Sequence, residues 1–63
     1  MCLAKAYLKG TERDELFLEE VALVRMGQGK LSLRTLFGEE KEIEAVIREI
    51  DFMKSSILLE KRQ

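Results

Sequence analysis

Two apolar runs, Val21–Met26 and Lys30–Phe37, stand on either side of Gly27-Gln28-Gly29. Runs of this length around a short glycine-containing loop are the pattern of a β-hairpin, because glycine supplies the positive φ that a tight reversal needs. In the second arm Leu31, Leu33 and Thr35 alternate with Lys30, Ser32 and Arg34, which predicts a strand with one wet face. Further strands are expected around this hairpin. Cys2–Leu8 has Cys2, Ala4, Ala6 and Leu8 on one face and Leu3, Lys5 and Tyr7 on the other. Lys9-Gly10-Thr11-Glu12 is the turn after it. Near the end, Ile47–Met53 and Ser56–Leu59 flank Lys54-Ser55, a tight-turn pair.

Two stretches carry competing patterns. Thr11 and Asp14 have the spacing of a helix capping box and Gly27 is placed to end a helix, so Arg13–Met26 also fits a helix. In Glu40–Phe52, the residues Ile43, Val46, Ile47 and Ile50 follow helical spacing. Against both, the apolar segments Leu16-Phe17-Leu18 and Val21–Met26 are short and partly β-branched. Local pattern favours an all-β fold over a mixed one. With no proline, repeat or low-complexity linker, residues 1–63 are expected to form a single domain.

A chain of 63 residues is short of core: a domain of this size buries only about 60% of the surface its unfolded form exposes. Such domains usually carry a staple. The single cysteine, Cys2, excludes an internal disulfide, and without histidine a four-ligand zinc site cannot be assembled from one chain. A second copy of the chain is the remaining staple, so a homodimer is expected. Apolar residues at 46% and charged residues at 37% suit a globular domain. The net charge of −1 and scattered Lys and Arg lack the basic stripe of a nucleic-acid binder. No apolar run has the length of a membrane span, and Lys5 and Lys9 interrupt any signal-peptide pattern; a cytoplasmic location is expected.

Catalysis has little support. The usual neutral-pH base, histidine, is missing, and the adjacent pairs Glu19-Glu20 and Glu39-Glu40 would point to opposite faces of a strand. Gly27-Gln28-Gly29 is too short for a phosphate loop. Met1, Met26 and Met53 are soft donors, but methionine more often fills cores. Cys2 differs by position. With the initiator methionine removed, the α-amine and thiolate of Cys2 close one chelate ring on a metal and the Leu3 amide nitrogen adds a donor; with Met1 retained, its amine and the Cys2 amide replace part of that set. Sulfur with nitrogen donors in a plane suits nickel(II) or copper(II). One Cys2 gives too few donors; two of them at a dimer axis give a four-coordinate site. The plain alternative is that Cys2 is a small hydrophobe in the first strand.

Met1-Cys2-Leu3-Ala4-Lys5 at the start, Thr35-Leu36-Phe37-Gly38-Glu39-Glu40, Arg48-Glu49-Ile50-Asp51-Phe52 and Ile57-Leu58-Leu59-Glu60 together resemble the CooT family. These are small dimeric nickel-binding proteins linked to maturation of carbon monoxide dehydrogenase. The resemblance spans nearly the whole chain, with the Met-Cys-x-Ala-Lys start its most specific piece. It implies an all-β, antiparallel barrel-like homodimer that is not an enzyme, with Ni(II) bound at the dimer interface through Cys2. Leu3 stands where the family often has methionine, so only its backbone amide keeps a role. Some relatives carry the label of RNA-binding protein. An RNA-binding module built on Tyr7, Phe17, Phe37 and Phe52 is therefore the alternative, disfavoured by the acidic charge balance and by the expectation that the three phenylalanines pack in the core.

Overall fold

A computed structural model describes residues 3–62. They form six strands: β1 (Ala4–Leu8), β2 (Glu15–Gly27), β3 (Lys30–Thr35), β4 (Glu40–Ile43), β5 (Ala45–Asp51) and β6 (Ser56–Lys61). All join one sheet in the order β4-β3-β2-β1-β6-β5. The expected hairpin is β2–β3, paired from Val21↔Thr35 to Gly27↔Lys30, so its loop is Gln28-Gly29, with Gly29 at φ 74°. Both stretches with helical spacing are strands.

The helical spacing has a mechanical origin. A β-bulge inserts one residue into a strand, so side chains three apart then share a face. In β2, Leu18 pairs with Ala6 and Val21 with Ala4, three residues against two. A further shift follows Val21, after which Val24 pairs with Leu33. Leu18, Val21 and Val24 therefore all turn toward the core. In β5 the same device at Arg48 keeps Ile47, opposite Leu59, and Ile50, opposite Ile57, on one side. The bulges also curl the sheet until β3 approaches β5. Enclosed between its halves are Ala6, Leu18, Val21, Leu31, Leu33, Ala45, Ile57 and Leu59.

The antiparallel barrel expected from the sequence needs correction in two respects. The sheet is open, since its outer strands β4 and β5 are not paired with each other. It is also mixed, because β1 and β6 run parallel, from Lys5↔Ser56 to Leu8↔Leu59. The pairings make the cause plain. Every connection reverses the chain except the one at Glu44, where β4 continues into β5 in the same sense and passes from one outer edge of the sheet to the other. The Glu44 carbonyl at this corner accepts the Arg62 amide at 2.9 Å. The last reversal also differs from the Lys54-Ser55 pair expected: it spans residues 52–55, with Asp51 Oδ1 accepting the amides of Met53 (3.0 Å) and Lys54 (3.1 Å).

Candidate metal centre

The first described residue is Leu3, half-buried and immediately before β1; Cys2 and Met1 lie outside the described residues. Leu3 lines a cleft of about 240 Å³. Its other walls are Ala4 at the start of β1, Ile50, Asp51 and Phe52 at the end of β5, and Ser55, Ser56 and Ile57 leading into β6. The register puts these together: β1 and β6 run parallel, so both begin here, and β5 ends here because Asp51 pairs with Ser56. The walls are mostly apolar, and Phe52 (86% exposed) and Met53 (96% exposed) stand bare beside the cleft.

Backbone geometry sets off this edge. Among the described residues the non-glycine positions with positive φ are Glu20 (58°) and Ser55 (53°). They flank the start of β1. Glu20 sits in the bulge beside Val21, the partner of Ala4, and Ser55 offers its carbonyl to the Lys5 amide at 3.0 Å. Left-handed backbone outside glycine is uncommon and costs energy, and such positions gather at functional sites.

No group of three or more Cys, Asp or Glu among the described residues is arranged to hold a metal ion. Of the adjacent carboxylate pairs, Glu40 accepts a hydrogen bond from Ser32 Oγ at 3.0 Å and lies 3.9 Å from Arg34, while Glu39 lies 3.9 Å from Lys41. These are ordinary surface pairings. Met26 and Met53 do not fill the core as expected; both are exposed, because each sits where a strand runs out into a turn. The phenylalanines divide. Phe17 packs against the core with Lys41 Nζ 5.4 Å from its ring centre, whereas Phe37 (81% exposed) and Phe52 lie in the turns after β3 and β5. The sequence pattern puts both inside apolar strand runs, Lys30–Phe37 and Ile47–Met53. The signal that separates them is Gly38 and Lys54-Ser55, which mark where those strands have already ended.

The missed element is Thr35, a buried polar residue at 5% exposure. Its Oγ1 accepts the amides of Phe37 (3.2 Å) and Glu39 (3.1 Å). The Leu36 amide donates to the Glu20 carbonyl at 2.9 Å, which ties this turn to the β2 bulge. The alternation of the second hairpin arm puts Thr35 on the same face as Leu31 and Leu33, but nothing in that pattern announces the turn amides its hydroxyl accepts.

Comparison with known proteins gives a consistent outcome. Residues 1–60 match the family described as CO dehydrogenase accessory protein CooT. The crystal structure of a candidate CooT from Carboxydothermus hydrogenoformans superposes with a TM-score of 0.91 at 34% identity, over 98% of this chain and 100% of that one. No curated protein matches the chain.

Proposed function

The chain belongs to the CooT family of CO dehydrogenase accessory proteins, and from that premise we propose that it binds nickel(II) as cargo in the cytoplasm, holding or delivering it for maturation of a nickel enzyme such as carbon monoxide dehydrogenase. The metal is bound by Cys2 of two chains at a homodimer interface. The thiolate is the soft donor that selects a thiophilic divalent ion, and the Leu3 amide nitrogen and the terminal amine supply the harder donors. The observation that carries this reading is the donor inventory: one cysteine, at position 2, and no histidine anywhere in the chain. Leu3 supports it, because the residue bonded to Cys2 sits at an apolar cleft at the edge of the fold.

The role is accessory. The chain carries an ion, and no bond-making step is assigned to it. Native mass spectrometry with and without nickel tests the proposal. The expected result is one nickel per dimer, with a thiolate-to-metal charge-transfer band. Both are expected to vanish in Cys2→Ala. Nickel bound equally well by Cys2→Ala would sink the reading.

A further inference from the structure

Gly27 ends β2 at a place where the fold does not require a glycine. Among the described residues the glycines with positive φ are Gly29 and Gly38, so the φ of Gly27 does not call for one. A Cβ at position 27 would meet nothing within 4 Å, so packing does not exclude a side chain either. Glycine weakens a strand, through its freedom in the unfolded chain and its missing side chain. Where neither backbone nor packing explains it, the remaining reason is close approach of a ligand or another backbone.

The space at Gly27 is shared by two clefts. One, of about 500 Å³, has Arg25, Lys30, Ser32 and Glu42 on its walls. The other, of about 310 Å³, runs between the hairpin end and the first residues of β5, with Leu31, Val46 and Ile47 as its apolar side and Arg62 beside them. Gly27 and Lys30, paired across the hairpin, line both. The charge here is opposite to that of the whole chain, which is −1. Arg25, Lys30 and Arg62 face Glu42 alone. The ion pairs among the described residues are Arg34–Glu40, Lys41–Glu39 and Arg48–Glu60, and none of them engages these three cations. Such a lining complements an anion with an apolar side.

The sheet edge indicates the form of that anion. β4 and β5 are outer strands with one neighbour each. An outer strand presents unpaired amides and carbonyls to any extended chain, and charges or bulges guard against this. β4 carries Glu40, Lys41 and Glu42, and β5 carries the bulge at Arg48 followed by Glu49 and Asp51. Ala45-Val46-Ile47 carries neither guard, Val46 is 40% exposed, and this stretch lines the apolar cleft.

We infer that the two clefts joined at Gly27 form a docking groove for an extended acidic segment of a partner protein, one that alternates carboxylate and aliphatic side chains. Its backbone passes over Gly27 and adds to the Ala45–Ile47 edge as a strand. Its aliphatic side chains meet Leu31 and Ile47, and its carboxylates meet Arg25, Lys30 and Arg62. The groove lies where β6 ends and the Leu3 cleft lies where β6 begins, a separation of roughly 17 Å along a strand of 6 residues. The groove is therefore independent of the nickel reading.

A synthetic peptide of about eight residues alternating Glu and Val tests this, titrated into the full chain at low salt and followed by amide NMR shifts. The parent is expected to bind it, with shifts at Gly27, Lys30 and Val46 and an affinity that falls with added salt. Gly27→Val is expected to lower the affinity ~10-fold or more by obstructing the groove. Its Tm is expected to equal or exceed the parent's, because valine suits a strand and enters empty space. Lys30→Glu, at an exposed position, is expected to weaken binding as much, and so is replacing Glu by Lys in the peptide. Cys2→Ala is expected to bind the peptide as the parent does, so failure of the nickel reading and failure of the groove are separate results. A parent that does not bind the Glu–Val peptide overturns the inference, as does equal binding by parent and Gly27→Val. Oligo-glutamate bound as tightly as the Glu–Val peptide reduces the groove to a plain anion site and overturns it. A uridine oligonucleotide bound more tightly than the peptide, and lost in Gly27→Val, assigns the groove to nucleic acid and overturns it. A sedimentation difference between Gly27→Val and the parent assigns it to a second copy, with the same consequence.

Discussion

The Lys5 amide donates a 3.0 Å hydrogen bond to the carbonyl of Ser55, and Ser55 holds φ at 53° to present it. This contact joins the first strand to the turn before the last one, at the edge where Leu3 leads into β1. The fold thus ties down the residue next but two to its only thiol with a backbone bond from a strained position. A left-handed residue other than glycine costs about 1–2 kcal/mol, and glycine returns about 0.5–1 kcal/mol of that as extra freedom in the unfolded chain. Ser55→Gly is therefore expected to stabilise by about 0.5–1 kcal/mol, raising Tm by roughly 2–8 °C. Ser55→Val is expected to lower it. Thermal unfolding followed by circular dichroism decides; a Tm that falls in Ser55→Gly would show that the serine side chain, not φ, matters.

Thr35 plays a comparable part at the other turn. Its hydroxyl oxygen accepts two amides inside a buried site. Valine has the same shape and no acceptor, so Thr35→Val leaves the Phe37 and Glu39 amides to find water. An orphaned donor costs about 1–3 kcal/mol, and the low end applies because these amides are only part-buried. The expected loss is about 1–2 kcal/mol, with faster hydrogen exchange at the Phe37 and Glu39 amides than elsewhere in the sheet. Unchanged exchange there would mean that Thr35 packs rather than bonds.

What could be read from the sequence divides along physical lines. The β2–β3 hairpin was legible because glycine marks its reversal and alternation marks its faces. The β2 and β5 assignments stayed open because a bulge turns period two into spacing of three, which is what Leu18, Val21 and Val24 display. Propensity says nothing about where a bulge falls. The parallel pairing of β1 with β6 was illegible for another reason: Glu44 turns the chain to the far edge of the sheet without reversing it, and it carries no glycine or proline to announce this. Cys2 as a metal donor is an expectation from its position and from the family resemblance, and it lies outside the described residues. That Leu3 opens onto an apolar cleft with Phe52 was not legible, because the cleft is assembled from residues almost fifty positions apart.

The core sets the margin within which all of this operates. Leu33 and Leu59 are both fully enclosed. Truncating a buried leucine to alanine costs about 2–5 kcal/mol, and a lone core of this size rarely supplies more than about 3–5 kcal/mol. Leu59→Ala is thus expected to leave the isolated chain largely unfolded at 25 °C. Ile50→Ala, at a half-exposed position, is expected to cost far less in folding. Denaturant titration of both variants beside the parent, at one protein concentration, measures the difference; a Leu59→Ala midpoint as high as that of Ile50→Ala would show that Leu59 does not carry the core.

Nickel itself adds to the stability of whatever binds it. A ligand that binds only the folded state at 100 times its Kd contributes about 2.7 kcal/mol; shared over the two chains of a dimer, this corresponds to a Tm rise of roughly 5–10 °C. The parent is expected to show that rise with nickel and lose it with chelator, and Cys2→Ala is expected to show neither. The sign of the pH dependence follows from the donors. Thiol and amine must each give up a proton to ligate, so binding releases protons and weakens as pH falls. The nickel-dependent rise in Tm is therefore expected to shrink steadily from pH 8 to pH 6, while the metal-free Tm of Cys2→Ala tracks that of the metal-free parent. A nickel effect that persists undiminished in acid would point to carboxylate ligands on the sheet surface instead of the terminal cysteine.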